Sequence, residues 1–235
     1  HQYICPAQRG ACPITDLNKE IDREERSIFT KSGATVAVLK SVSRITIGEA
    51  DYLLESFIDI TERKKADDAL RYHSMHDQLT GIYNRNYYEE ELRRLKSIPG
   101  VPLALTICDV DGLKIINDTM GHEQGDLLLK KVARILCESF PKGAMIARIG
   151  GDEFAIIMTP CTEKTAEEYC ITLRDKIEAA NEKSDIKISV SIGFAAGNTS
   201  ECEIAALVKQ ADDNMYRDKM LHHSSSSNAL VQTLK

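Results

Sequence analysis

The sequence contains no hydrophobic run long enough to cross a membrane. A membrane-spanning helix needs about 18 apolar residues in a row, whereas the most apolar stretches, LALTIC and FAIIM, have only the length of a strand. Positive charge is not in excess either, because the formal net charge is -6 at pH 7. Since proteins that bind nucleic acid usually carry a basic face, the composition predicts no membrane span in this sequence and no nucleic-acid partner.

The glycine-rich signatures of common nucleotide sites are also missing. Neither G-x-x-x-x-G-K-[ST] nor G-x-G-x-x-G occurs, so a nucleotide would not lie on a P-loop or a Rossmann turn. The segment DVDGLKIINDTM begins like a calcium loop, but Lys114 stands where such a loop needs glycine and Met120 stands where it needs glutamate. A bound nucleotide would therefore need loop amides, lysines and a metal ion.

Seven cysteines, an odd number at irregular spacings, predict reduced thiols and a cytoplasmic location. Cys5 and Cys12, with His1 nearby, have two possible interpretations: ordinary loop cysteines, or one half of a metal or redox site. Because the chain starts at His1 rather than at Met, we expect that the full-length protein continues upstream. That upstream part could contain a membrane anchor.

Residues 35–47 and 51–60 are rich in β-branched residues and flank a turn, which predicts an antiparallel hairpin. The charged stretch that follows has the composition of a helix. The run ESFIDITERKKADDAL resembles the end of a PAS sensor domain, which continues into a signalling helix. The resemblance implies the C-terminal half of a PAS domain at residues 1–61 and a linker helix at residues 62–76.

From residue 77 onward, helical and strand patterns alternate, and MIARIG and EFAIIM read as a hairpin around GGDEF. An antiparallel hairpin among interleaved helices predicts the α+β class, with a mainly antiparallel central sheet flanked by helices. This domain is predicted to span residues 77–223. The run Ser224–Ser227 predicts a flexible linker, so residues 224–235 would be linker and the start of a further segment.

Acidic residues follow one predicted strand and form the tip of the hairpin. Asp109 and Asp111 end the strand LALTIC, and Asp152 and Glu153 lie at the hairpin tip. If the two strands are neighbours, the carboxylates converge, and each like-charged pair about 4 Å apart would cost roughly 4 kcal/mol at an effective dielectric constant near 20. A divalent cation would relieve this repulsion, and an all-oxygen set of ligands favours Mg²⁺.

Several segments together resemble, in order and spacing, the GGDEF family of diguanylate cyclases. The resemblance implies a nucleotidyl-cyclase palm fold and the condensation of two GTP molecules to cyclic di-GMP and two pyrophosphates. It also implies a homodimer and Mg²⁺, with Mn²⁺ as an alternative. The segments are DQLTGIYNR (77–85), DVDGLKIINDTMGHEQGD (109–126), RIGGDEF (148–154), SVSIGFA (189–195) and ADDNMYRDK (211–219).

The resemblance also implies roles for individual residues. Asp109, Asp152 and the carbonyl of Val110 would bind the metal, and Glu153 would be a further metal ligand or the base for the 3′-hydroxyl. Asn117 and Asp126 would recognise guanine, because an amide and a carboxylate complement the edge of that base. The triphosphate would contact the turn made by Gly112, Leu113 and Lys114, and also Lys219.

The sequence departs from the family pattern at three places, of which Leu113 in place of the usual phenylalanine is a mild change. The inhibitory R-x-x-D motif should fall at 141–144, where this chain has Pro141, Lys142, Gly143 and Ala144. We therefore expect no product inhibition through that site. After Lys219 the family often has a basic residue that contacts phosphate, but this chain has His222 and His223, which predicts weaker binding of GTP.

The tail MYRDKMLHHSSSSNALVQTLK resembles the junction between a GGDEF domain and an HD-GYP phosphodiesterase domain. It implies a downstream HD-GYP domain in the full-length protein. Our leading hypothesis is a dimeric diguanylate cyclase regulated by the PAS segment. The alternative is a GTP-binding regulatory module that controls an attached phosphodiesterase domain.

Overall fold

Three antiparallel strands form the first sheet. They are β1 (Ile21–Phe29), β2 (Thr35–Ile47) and β3 (Ala50–Asp59), in the order β1-β2-β3. The predicted hairpin is therefore confirmed, whereas β1 was not predicted, because IDREERSIF has no alternation of apolar and polar residues. Helix α1 (Thr61–Met75) follows, where the sequence predicts a linker helix.

The computed structural model describes residues 21–182, 184–199 and 201–233. The chain divides into two units, of which the first ends at Tyr72 and the second begins at His73. Cys5 and Cys12 lie outside the described residues. Among the helices that the structure describes, none is long and apolar enough to cross a membrane.

A five-stranded sheet forms the centre of the second unit, and five helices accompany it. The strand order is β4-β6-β7-β5-β8, and every neighbouring pair is antiparallel except β4 with β6. The α+β class with a mainly antiparallel sheet is thus confirmed. The elements are β4 (Tyr83–Asn84), α2 (Arg85–Lys96), β5 (Pro102–Val110), α3 (Leu113–Met120), α4 (His122–Ser139), β6 (Met145–Arg148), β7 (Glu153–Met158), α5 (Glu163–Glu182), β8 (Val190–Asn198) and α6 (Glu201–Thr233).

Strand β5 lies inside this unit and is buried along its whole length after Pro102. Its alternate side chains enter two separate cores. Ala104 and Cys108 pack in the core that also contains residues of α3, α4 and α5. Leu103 and Leu105 pack with residues of α2 and α6. Burial on both faces explains why the strand reads as a continuous apolar run rather than an alternating one.

Helix α6 packs directly on β8. The two backbones are so close at Gly193 that a Cβ there would overlap the backbone of Met215. The helix continues through Ser224–Ser227 to Thr233, where the sequence predicts a flexible linker. The structure differs from that prediction for a local reason: no glycine or proline follows Gly197 in the sequence, so no residue there breaks a helix.

Candidate active site

Three acidic residues of the second unit lie where β5 ends beside the start of β7. Asp109 lies directly opposite Glu153 in the antiparallel register, so the two side chains project from the same face of the sheet. The backbone amide of Val110 donates to the carbonyl of Asp152 at 2.9 Å, which fixes the hairpin tip against the end of β5. The backbone pairing therefore brings Asp109, Asp152 and Glu153 to the same edge of the sheet.

Asp109 is paired with a lysine from the last helix. Lys219 Nζ lies 2.7 Å from Asp109 Oδ1, and the Asp109 side chain is only 8% exposed. Burial raises the pKa of the Asp109 carboxyl, the ammonium of Lys219 opposes that rise, and the charges of Asp152 and Asp111 add to it. The net effect is a raised pKa, so burial and neighbouring carboxylates together outweigh the ion pair.

Glu153 experiences the same crowding of negative charge. Burial raises its pKa first, and the charges of Asp152 and Asp109 raise it further. A carboxylate whose proton affinity is raised is a better base toward a hydroxyl near neutral pH. The side chain passes over Gly150, since a Cβ at that glycine would overlap the Glu153 carboxylate. Gly150 therefore leaves the room that Glu153 occupies.

Asp111, just after β5, is bound to the neighbouring strand β8 and the residue before it. Its two carboxylate oxygens accept hydrogen bonds from the hydroxyls of Ser189 at 2.7 Å and Ser191 at 2.8 Å. The backbone amide of Asp111 also donates to the carbonyl of Ser189. Asp111 thus ties the end of β5 to β8, and it remains close enough for its charge to raise the pKa of Asp109.

The donor set at this corner suits a hard divalent cation. Asp109, Asp152, Glu153 and the Val110 carbonyl offer oxygen atoms only, which Mg²⁺ and Mn²⁺ prefer. In the part of the chain that the structure describes, no three acidic, histidine or cysteine side chains are grouped as a metal site. The ammonium of Lys219 already neutralises Asp109. The oxygen donors present therefore suit a divalent cation, while Lys219 is bound to one of them, Asp109.

The turn between β5 and α3 has a backbone conformation that favours glycine at position 112. This glycine precedes α3 with φ 72° and ψ 11°, a left-handed conformation that favours glycine. Leu113 then turns into the core and is 9% exposed, while Lys114 is exposed. Of the residues expected at the triphosphate, Gly112 and Lys114 lie at the start of α3, and Lys219 is bound to Asp109 instead.

Asn117 and Asp126, the residues expected to recognise guanine, lie on α3 and α4. The side-chain amide of Asn117 rests against Gly125, because a Cβ there would overlap its oxygen. Asp126 is the next residue and is exposed on the first half of α4. The fold thus brings the two residues to neighbouring positions. Gly125 had no role in the sequence analysis, although it stands inside GHEQGD.

A second ion pair braces the acidic hairpin from the other side. Arg148 lies 3.3 Å from the carboxylate of Asp77, and its Nη2 donates to the carbonyl of Gly151 at 2.7 Å. Asp77 also accepts hydrogen bonds from the amide and hydroxyl of Thr80. Asp77 and Arg148 both lie in segments that resemble the GGDEF family, 77–85 and 148–154. Their opposite charges could have indicated the ion pair, but it was not predicted from the sequence.

A groove of about 450 Å³ adjoins Glu153 between α2 and α6. Arg85 and Tyr88 from α2 line one side, and Lys209 and Asp212 from α6 line the other. The hydroxyl of Tyr88 is buried and has no hydrogen-bond partner among the described residues. Burial raises the pKa of Tyr88 to about 12, so the hydroxyl keeps its proton.

Comparison with known proteins agrees with this geometry. The family model for "Diguanylate cyclase, GGDEF domain" matches residues 74–225. Diguanylate cyclase DgcM of Escherichia coli is 33% identical over 213 residues, which cover 89% of this chain and 49% of DgcM. The uncharacterized protein y4lL of Sinorhizobium fredii is 33% identical over 174 residues, which cover 69% of this chain and 21% of y4lL. The chain therefore spans half or less of these curated relatives.

A solved structure has the same fold. It is the coiled coil and GGDEF domain of DgcB from Caulobacter crescentus in complex with c-di-GMP, with a TM-score of 0.59 and 25% identity. The alignment covers 68% of this chain and 88% of that chain.

Proposed function

The chain belongs to the family of diguanylate cyclase GGDEF domains, and on that premise we propose that it condenses two GTP molecules to cyclic di-GMP and two pyrophosphates. The observation that carries this proposal is that Asp109 lies opposite Glu153 and that the carbonyl of Asp152 accepts from the amide of Val110, which brings the three acids to one edge of the sheet. DgcM and DgcB, whose names or solved complex refer to this chemistry, share the family or the fold.

In the proposed reaction, the 3′-oxygen of one GTP forms a bond to the α-phosphorus of the other, and the bond to the leaving pyrophosphate breaks. The same step in the opposite sense closes the ring. Glu153 accepts the proton of the attacking hydroxyl, a role supported by its raised pKa. Asp109, Asp152 and the Val110 carbonyl hold Mg²⁺ or Mn²⁺, which when bound neutralises the charge that develops on the phosphates.

The other site residues orient the substrate. Asn117 and Asp126 hydrogen-bond the guanine edge, where a carboxylate accepts from the paired N–H donors that adenine lacks. The amides that follow Gly112, together with Lys114, contact the β- and γ-phosphates. The support for these roles is that Asn117 rests against Gly125, the residue before Asp126, and that α3 begins shortly after the acidic strand.

Two GTP molecules held on two protomers must face each other for this reaction, so we also propose a homodimer. The N-terminal sheet and α1 would be the PAS segment and the signalling helix that control its assembly, and an HD-GYP domain would follow in the full protein. The alternative of a purely regulatory GTP-binding module is not favoured, because such a module needs no crowded pair of Asp109 and Glu153.

We further propose that the enzyme lacks product inhibition through the usual site. Pro141 and Lys142 are exposed, and Gly143 and Ala144 follow them, so the segment offers neither the arginine nor the aspartate of that motif. Initial rates measured at rising concentrations of added cyclic di-GMP should stay constant. A drop in rate at micromolar product would contradict this part of the proposal.

The direct test incubates the purified protein with GTP and Mg²⁺ and separates the products by chromatography. We expect cyclic di-GMP and pyrophosphate in a ratio of one to two. Asp152→Ala should abolish turnover and leave the thermal unfolding midpoint close to that of the parent. If the parent binds GTP as a dimer but forms no cyclic di-GMP, the proposal fails and the regulatory alternative gains support.

A further inference from the structure

Lys219 binds the carboxylate of Asp109, which would have to be free to bind a metal ion. Its ammonium lies 2.7 Å from Asp109 Oδ1, and the two side chains are 26% and 8% exposed. A hydrogen bond between two charged groups at this distance, largely shielded from water, is among the stronger contacts in proteins. Asp109 is therefore bound to Lys219 in this structure.

An ammonium and a divalent cation compete for such a carboxylate. Mg²⁺ coordinates carboxylate oxygens at roughly 2.0–2.1 Å, and a second positive charge beside the same oxygen would repel it. A triphosphate changes this balance, because its oxygens offer the ammonium a new anionic partner. The lysine can then leave Asp109 without its charge being left unpaired.

We propose that Lys219 keeps the metal position closed until a nucleotide arrives, so that the cation enters together with a triphosphate and not before it. This inference rests on the proposed function in one respect, namely that Asp109 is a metal ligand. It adds an order of binding to that function and gives Lys219 a second role as a positioning residue.

The surroundings of Lys219 restrict the movement to its side chain. The neighbouring Asp218 accepts a hydrogen bond from the amide of Ile192 at 2.8 Å and lies 3.0 Å from Arg174. A Cβ at Gly193 would overlap the backbone of Met215, so this turn of α6 is pressed against β8. The helix is thus fixed at both positions, whereas the four-carbon stem of lysine can swing from carboxylate to phosphate.

The test measures binding of Mn²⁺ alone to the full chain, without GTP, by titration calorimetry or by the loss of the free-ion signal in electron paramagnetic resonance. Lys219→Met should bind Mn²⁺ about 10- to 100-fold more tightly than the parent, the range expected on removal of a hydrogen bond between charged groups. Lys164→Met is the matched control, since it removes the same charge from an exposed position in the first turn of α5. Its affinity should stay within about threefold of the parent.

Lys219→Arg tests the ion pair itself, because it keeps the charge next to Asp109. We expect it to bind Mn²⁺ as weakly as the parent. A second readout is thermal unfolding: Mn²⁺ should raise the midpoint of Lys219→Met more than that of the parent, because a tighter ligand stabilises the folded state more. Equal Mn²⁺ affinity in the parent and Lys219→Met, or weaker binding in the variant, would overturn the inference.

Failure of the inference can be told apart from failure of the proposed function. If the parent forms cyclic di-GMP but Lys219→Met shows no gain in Mn²⁺ affinity, the order of binding is wrong and the enzyme assignment stands. If the parent forms no product while the gain in affinity is present, the lysine competes for the metal and the proposed reaction is wrong.

Discussion

Strands β3 and β5 are of similar length and both contain many apolar residues, yet their environments are opposite. All ten residues of β3 are exposed, including Leu53, Leu54 and Phe57. In β5 every residue after Pro102 is buried. The difference lies in what covers each sheet: β5 is an interior strand between two cores, whereas β3 is an edge strand of a three-stranded sheet.

This contrast explains why the candidate site lies where it does. A strand buried on both faces is held rigidly, and its last residues leave the core at a defined point. Asp109 is the last polar residue before that exit, and the pairing with β7 brings Glu153 to it. Strand β3 has no comparable point, because its apolar side chains are exposed. The packing of the second unit, rather than its loops alone, therefore sets the positions of the acids.

The largest expected effect comes from the same substitution made in both strands. Leu105 is 1% exposed, and Leu105→Ala should lower the free energy of unfolding by about 2–5 kcal/mol, the usual range for a truncated core leucine. Leu54 is 52% exposed, and Leu54→Ala should change it by no more than about 0.5 kcal/mol. Urea denaturation followed by circular dichroism measures both.

The result also tests whether β3 is exposed in solution. If Leu54→Ala destabilises the protein as much as Leu105→Ala does, β3 is covered by another surface, and the contrast between the two sheets does not hold. The activity of Leu54→Ala per folded protein should equal that of the parent in an assay at saturating GTP.

The sequence predicted the elements of the second unit better than it predicted their surroundings. The continuous apolar run of β5 and the hairpin around GGDEF were readable, because burial on both faces and glycine in turns leave strong local signals. Helix α3 was not predicted, since Asn117, Asp118 and Thr119 within it are poor helix formers. The helical course of Ser224–Ser227 was missed because a serine run normally indicates a linker.

Gly125→Ala is expected to have the next largest effect, now within the site. Close packing that stabilises β5 also fixes Asn117, and the added methyl group would overlap its amide oxygen. Asn117 would have to turn away, so we expect the KM for GTP to rise about 10- to 100-fold, as for the loss of one or two hydrogen bonds. Steady-state kinetics with GTP provides the measurement.

The control for this substitution is Gly143→Ala, because a Cβ there meets nothing within 4 Å. Its KM should match that of the parent. A normal KM in Gly125→Ala would mean that Asn117 is not fixed by close packing, and the role proposed for it would lose its structural support.

Contacts between distant side chains could not be predicted from the sequence. Asp111 lies two residues after Asp109, but it is held by Ser189, just before β8, and by Ser191 on β8. The choice of Lys219 as partner of Asp109 likewise depends on the path of α6 over β8. Such pairings follow from tertiary packing, so the residue types were predictable and the partners were not.

Arg148→Met is expected to have a smaller effect than Gly125→Ala. It removes the contacts to Asp77 and to the carbonyl of Gly151, which brace the hairpin that carries Asp152. We expect kcat to fall roughly tenfold with little change in KM, because geometry at the reacting atoms is lost while the guanine residues are untouched. Arg94→Met, which breaks an exposed ion pair with Glu91, should leave kcat unchanged.

The smallest expected effect is a difference in pH dependence between the two units. Burial, Asp152 and Asp109 raise the pKa of Glu153, whereas the hydrogen bond and charge of Lys64 lower the pKa of Glu25 on β1. The folded state therefore holds the Glu153 proton more tightly than the unfolded state does. Its contribution to stability is complete below the unfolded pKa, about 4.3, and is lost as the pH rises through the folded value. For Glu25 the contribution is present above the unfolded pKa and is lost as the pH falls.

The two variants should consequently diverge in opposite directions with pH. Measured by urea denaturation in metal-free buffer from about pH 4 to pH 7, where carboxyl groups titrate, Glu153→Gln should gain stability relative to the parent as the pH rises. Glu25→Gln should lose stability slightly over the same interval, because Glu25 is exposed and its ion pair with Lys64 contributes little. Curves that run parallel for both variants would show that the carboxylates at the end of β5 are no more strained than those on the open sheet, and the contrast between the two units would then be one of packing alone.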